Sequence, residues 1–419
     1  MTRRRWIGAL AGVAGVAAFG GVGYLVFRPG PPPPPPVAAW SARPAAGDHL
    51  PTGGLVHTCL LTEAGKVLCW GTNNFAQLGD GTNQISVFPK AVAGPLPFRD
   101  VDAGDSHTCA VRREGSVLCW GLNPRGQVGA AKDADCIVGG LAYSCNPAPK
   151  AVAGVPSAVA TGAGADHSCA RTATGAVWCW GSNDRGQLGR GRDPGSFAPV
   201  EVSGAHVTQL SVGQFHTCGV TRAASVVCWG WNLYGQVGTT FTSEKCGPNP
   251  WSPTPCIREP VRAEAGAVRF TAVAAASKHT CALAADGRIY CWGANRLGQL
   301  GTGSTANAPT PTVVTGPERF RALAVGTDFS CGLSAEGDVW CWGDNAMGQL
   351  GGTAGPSSAT PVRVHAEGRF GALGAGANHA CGIQESGAVL CWGSGTGWQL
   401  GNGFRADSPV PVVVRGDAR

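Results

Sequence analysis

The chain has little charge and almost no methionine. Asp, Glu, Lys and Arg make up 14% of its 419 residues, and Met occurs twice. Gly occurs 65 times and Pro 30 times. A helical bundle does not tolerate so much Gly and Pro with so few helix formers. A disordered chain does not carry 43% hydrophobic residues. The chemical signatures of common enzymes are also missing. There is no Gly-x-Ser-x-Gly elbow, no phosphate-cradling Gly-Lys-Ser/Thr loop, no His-Glu-x-x-His and no Cys-x-x-Cys. Acidic residues are absent before Asp48. Five of the six net positive charges are Arg3, Arg4, Arg5, Arg28 and Arg43, which leaves residues 44–419 at +1. Such a body offers no basic patch to nucleic acid. Many short strands joined by turns are the architecture this composition suits.

The N-terminus reads as a targeting segment. Three arginines precede Trp6 to Phe27, 22 residues without a charge. As a helix these span roughly 33 Å, enough to cross a bilayer. The preceding arginines place the N-terminus inside and the body outside the cytoplasm. The expectation is a retained membrane anchor. The alternative is a signal peptide cleaved near Val16-Ala17-Ala18, and Arg3-Arg4-Arg5 loosely resembles a twin-arginine export signal. Pro29 and Pro31 to Pro36 then form a stiff spacer. The expected organisation is an anchor or signal over 1–28, a Pro-rich linker over 29–50 and a folded body over 51–419.

The body repeats with a period near 50. A Cys, a short turn and then Cys-Trp-Gly recur seven times, at Cys59 and Cys69, Cys109 and Cys119, Cys169 and Cys179, Cys218 and Cys228, Cys281 and Cys291, Cys331 and Cys341, and Cys381 and Cys391. Every pair is ten residues apart. A Gly-Gln-Leu-Gly-like turn, a Pro-led strand and an apolar strand follow each one. Four short strands per repeat and seven repeats predict an all-β, seven-bladed β-propeller of four-stranded antiparallel blades. The midpoint of the first Cys pair leaves Glu63-Ala64-Gly65 as a three-residue hairpin turn, with Gly in the left-handed position. The fourth repeat has Ala224 there. This register puts each Cys pair on a non-hydrogen-bonded position, close enough for a disulfide. Buried free thiols are the alternative. The tryptophans after the second Cys (Trp70, Trp120, Trp180, Trp229, Trp292, Trp342, Trp392) point the other way and are expected in the core.

The repeat pattern of His-Thr, a Gly turn, Trp-Gly, Asn and Gly-Gln-Leu-Gly, clear in Trp180-Gly181-Ser182-Asn183-Asp184-Arg185-Gly186-Gln187-Leu188-Gly189, resembles the regulator of chromosome condensation repeat family. The likeness covers about residues 51–419 and implies the same seven-bladed propeller. It departs at Phe329, which replaces the repeat His, at Gly395, which replaces Asn, and in the added Cys pairs. The namesake's activity, nucleotide exchange on a small GTPase, enters as an alternative function. A plant ultraviolet-B photoreceptor of similar fold carries Trp and Arg just before the His-Thr. None of the matching pairs here does, so photoreception is not expected.

Those pairs vary while their neighbours repeat, as a binding surface on a fixed scaffold would. Asp105, Asp166, Gln214, Phe215, Lys278 and Asp328 are the candidates among them. Two insertions, about Ala130 to Ala148 and Thr239 to Glu259, follow Gly-Gln-Val-Gly turns and so leave one face of blades two and four. Each has a private Cys pair, Cys136 with Cys145 and Cys246 with Cys256, which brings the expected disulfides to nine. They carry Tyr143, Phe241 and Trp251, large aromatics suited to a protein-binding surface, or else they are loop decoration. The six repeat histidines (His57, His107, His167, His216, His279, His379) are one per blade and are expected to be structural. No metal site, no cofactor and no catalytic residue is expected. The resulting expectation is a non-catalytic extracytoplasmic scaffold. It would bind a protein or cell-surface ligand, touch the membrane only through its N-terminal segment, and have a monomeric body. An enzyme with a site gathered on one propeller face is the remaining alternative.

Overall fold

A computed structural model describes residues 51–416, apart from 95–96, 242–243, 248–252, 317–318 and 353–354. The N-terminal span, the Pro-rich linker and Trp251 lie outside the described residues. Among the described residues there is no helix, and so none long and apolar enough to cross a membrane.

Among the described residues, twenty-nine antiparallel strands form seven blades. The second blade shows the pattern, with strands Phe98–Ala103, His107–Arg112, Val117–Leu122 and Leu141–Ala151 from the axis outward. The 17-residue strand Ser196–Val212 is outermost in the third blade and innermost in the fourth, which fuses the two into one sheet of eight strands. Strand direction settles which loops share a face. The turn before each repeat His joins the first strand to the second. The Gly-Gln-Leu-Gly loop joins the third to the fourth. Both therefore emerge at one end of the propeller, the upper face, and the Gly-bearing hairpins emerge at the lower face.

The hairpin at the first Cys pair has the geometry expected from sequence. Thr62 N–H bonds to Lys66 O at 2.9 Å, and Gly65 has φ +76°. Each paired Cys sits directly opposite its partner, with Cα atoms 4.0–4.1 Å apart in the seven repeats. The two insertion disulfides have a different geometry. Cys136 pairs in register with Tyr143, and Cys246 with Thr254. These disulfides therefore run diagonally, across Cα separations of 5.9 and 5.8 Å. All 18 cysteines are paired. The seven repeat tryptophans are fully buried between blades.

The blades are joined by a repeated polar staple. The carbonyl of Gln77 in blade one accepts the indole N–H of Trp120 at 2.8 Å and the hydroxyl of Thr108 at 2.9 Å, both from blade two. That hydroxyl also meets Nε2 of His57 at 3.0 Å. The hydroxyl proton is committed to the carbonyl, so Nε2 must be the donor; Nδ1 is buried without a partner and burial disfavours the charged ring, so the imidazole is neutral. Corresponding bonds join His107 to Ser168, His167 to Thr217, His216 to Thr280 and His279 to Ser330. The same unit closes the ring. His379 meets Thr58 at 2.7 Å, Trp70 donates to Gln399 O at 2.9 Å and Ala377 N–H bonds to Gly54 O at 3.0 Å. Blade seven thus docks on blade one without exchanging a strand.

Candidate binding face

The repeated Asn-x-x-Gly-Gln-Leu-Gly loop is a folded unit whose Asn and Gln are both used internally. Asn183 Oδ1 accepts Leu188 N–H at 3.0 Å, and Gln187 Oε1 accepts Arg185 N–H at 2.8 Å. The same two bonds recur at Asn73 and Gln77, Asn123 and Gln127, Asn232 and Gln236, and Asn295 and Gln299. Only the residues between Asn and Gly are free to vary. The second of these reaches the next blade. From the third blade, Arg185 meets Phe215, just before the His, and Trp231, just after the Trp-Gly; from the first, Phe75 meets Tyr143.

The upper face is therefore a ring of seams whose side chains differ from one to the next. At one seam the Arg185 guanidinium lies 4.0 Å from the ring centre of Phe215 and 4.9 Å from that of Trp231. Phe215 and Trp231 stand edge to face at 5.7 Å, and Tyr234 meets Trp231 at 5.6 Å. Trp231 N–H bonds to Thr254 Oγ1 at 3.0 Å, which ties this seam to the second insertion. At the seam before it, Asp166 lies in the fields of Arg125 and Arg185. Burial pushes its carboxyl up, the two arginines oppose that, and Asp184 adds to it. Asp328 behaves likewise. Burial raises it, Lys278 and the 3.0 Å hydrogen bond from Gln299 oppose, and Asp344 adds.

Asp105 and Gln214 face each other across the axis. The Gln214 amide donates to both carboxylate oxygens, at 2.9 and 3.1 Å. Burial raises the Asp105 pKa to about 6, with Asp166 adding and Gln214 opposing. The axial cavity at the upper face, which these two residues help to line, holds about 80 Å³, and a second one below it about 570 Å³.

The two groups of candidate residues occupy one surface. The variable pairs and the described parts of both insertions lie on the upper face. Phe241 is 62% exposed there. Tyr143 is not presented freely, because it packs edge-on against Phe75 of the first blade at 5.3 Å. The exposed apolar groups of that insertion are instead Ile137 and Leu141, beside its Gly139-Gly140 tip. Leu55, Leu233 and Met347 are exposed on the same face, and Ile85, Phe197 and Phe404 on its rim. The lower face is different. Its turns are linked by charged side chains, as where Arg113 donates to Glu63 O at 3.3 Å and Arg222 to Thr174 O at 3.1 Å. None of the exposed large apolar side chains among the described residues belongs to those turns. The sequence reading missed Arg125, Arg185, Trp231 and Tyr234. The signal was available, since these positions also vary between fixed neighbours.

A model of the RCC1-like domain matches residues 52–315, and a model of the regulator of chromosome condensation (RCC1) repeat matches 320–349. The chain belongs to the RCC1-like domain family. The ultraviolet-B receptor UVR8 of Arabidopsis thaliana is 28% identical to this RCC1-like chain over 156 residues, 36% of it and 33% of the receptor. The probable E3 ubiquitin-protein ligase HERC4 of Homo sapiens is 28% identical over 270 residues, 63% of the chain and 19% of the ligase. The match thus spans a third or less of these relatives' length. Yeast RCC1 (Prp20), solved bound to Kap60, superposes with a TM-score of 0.71 at 22% identity over 84% of both chains. Human WBSCR16 gives 0.71 at 21% identity, over 83% of this chain and 93% of that one. These likenesses establish the RCC1-like propeller fold.

Proposed function

We propose that this RCC1-like propeller is a non-catalytic binding scaffold that works outside the cytoplasm and engages a protein or cell-surface ligand through its upper face. One asymmetry carries the reading. Most of the exposed large apolar side chains gather on the upper face and its rim, with Val313, Val410 and Val413 on outer strands, and the lower turns carry charged side chains. Apolar groups grouped on a soluble surface favour association, and those held on rigid loops lose little entropy on binding. The described chain enters the ring at Pro51, below the upper face. The uncharged span after Arg5 and the full pairing of cysteines support an oxidising, extracytoplasmic address.

The test compares ligand capture from envelope extract by the full chain and by two variants. Leu233→Asp with Phe241→Asp on the upper face should abolish capture, and Arg113→Ser with Arg222→Ser on the lower face should preserve it. The opposite pattern overturns the assignment of the face. For the address, a phosphatase fused after Arg419 should be active. An inactive fusion beside an active cytoplasmic reporter overturns it.

A further inference from the structure

The seam between the third and fourth blades differs from the others in holding a cation that is fixed but not paired. Arg185 is partly buried, and its guanidinium is laid on Phe215 and Trp231 at 4.0 and 4.9 Å. Its backbone N–H is taken by Gln187. Among the described residues, no carbonyl or carboxylate accepts a hydrogen bond from its side chain. Asp166 and Asp184 act on it only through space. The guanidinium is half-buried and none of its nitrogens is sealed from solvent, so stacking occupies its faces while its N–H groups stay at an accessible edge. The fork is thus immobilised before any ligand arrives, and a planar bidentate acceptor is what its edge fits.

We propose that Arg185 receives a single carboxylate, the Asp or Glu side chain of a partner protein, with apolar residues beside it. The proposal rests on the upper face being the binding face and names the chemistry recognised there. The apolar flank follows from Leu233, 42% exposed in the adjoining loop, and Phe241 on the insertion tied to Trp231 through Thr254. Local charge argues for one carboxylate and against a polyanion. Arg125 and Arg185 are balanced by Asp166 and Asp184, so a nucleic acid or sulfated glycan would gain no net attraction here. An acidic side chain gains through geometry instead, by completing hydrogen bonds that the fold leaves open. Lysine cannot substitute, because it neither stacks as a plane nor presents a fork.

The full chain is panned with a displayed library of 12-residue peptides, and enriched peptides are synthesised with a fluorophore for polarisation titration. The expected winners carry Asp or Glu next to Leu, Phe or Trp. Changing that acid to its amide, or Arg185→Lys in the protein, should weaken binding about tenfold or more, with the thermal midpoint of the variant unchanged. Peptides that lose binding with Leu233→Asp but ignore both Arg185→Lys and the amide exchange overturn the carboxylate assignment and leave the upper face standing. Peptides indifferent to all three changes, or no enrichment at all, overturn both.

Discussion

Phe329 of the sixth blade and Ala380 of the seventh share one apolar cluster, at the single seam that lacks both halves of the histidine–hydroxyl bond. Elsewhere an imidazole meets the hydroxyl of Thr or Ser from the next blade. Here both polar groups are absent together, so neither a donor nor an acceptor of that pair is buried alone. Trp392 still donates to Gln349 O at 3.0 Å, so the rest of the staple remains.

Restoring half of that pair should therefore be harmful. Phe329→His alone buries an imidazole with no hydroxyl to meet and should cost about 1–3 kcal/mol. Ala380→Thr alone should cost less, because its hydroxyl can still reach the Gln349 carbonyl as its counterparts do. The double variant should recover part of the loss, with a coupling of about 1 kcal/mol in a denaturant cycle under non-reducing conditions. Strict additivity of the two changes counts against the staple as a coupled unit.

Stability should fall in mild acid. Burial lowers the pKa of His57, His107, His167, His216 and His279 to about 3, and that of His379 to about 4. The unfolded chain binds these protons from about pH 6.5 downward, and the native state refuses them until about pH 3–4. The unfolded state therefore holds more protons in that window, and stability rises with pH through it. The loss on acidification is about 1 kcal/mol per pH unit for each histidine. Denaturant midpoints measured between pH 7.5 and 4.5 should drop steeply below 6.5. A flat profile over that range would contradict buried neutral imidazoles.

Ala224 occupies the hairpin position that other blades give to Gly, at φ +59°. A Cβ in the left-handed region costs about 1 kcal/mol, against a smaller entropic advantage of Ala in the unfolded chain. Ala224→Gly should raise stability by about 0.5 kcal/mol, read as a higher thermal midpoint. A lower midpoint would mean the fourth hairpin is adapted to its alanine.

Intact mass after alkylation should show no modified Cys in the native protein and 18 after full reduction. Each repeat disulfide closes a short ring worth roughly 2–3 kcal/mol on the chain-entropy account. Cys136→Ser with Cys145→Ser should also lower the unfolding midpoint, because both sulfurs are buried and Cys145 lies in the outer strand of the second blade opposite Leu122. Several alkylated thiols in the unreduced protein would contradict the pairing.

Local spacing in the chain was enough to specify the blade. Ten residues between cysteines put them opposite one another around a three-residue turn, and the Trp-Gly that follows faces the neighbouring blade. Such features depend on strand period and turn conformation, which act over a few residues. Ring closure and the upper face depended on the tertiary structure. Phe329 and Ala380 lie 51 residues apart, Asp105 and Gln214 lie 109 apart, and Arg185 meets Phe215 and Trp231 only because a loop of one blade overhangs the next. Side chains at a seam come from different repeats, and each repeat by itself shows only one side of the contact. The sequence could mark those positions as variable. Which of them meet, and that Tyr143 folds back on Phe75 while Arg185 is left without an acceptor, was decided when seven blades packed around one axis.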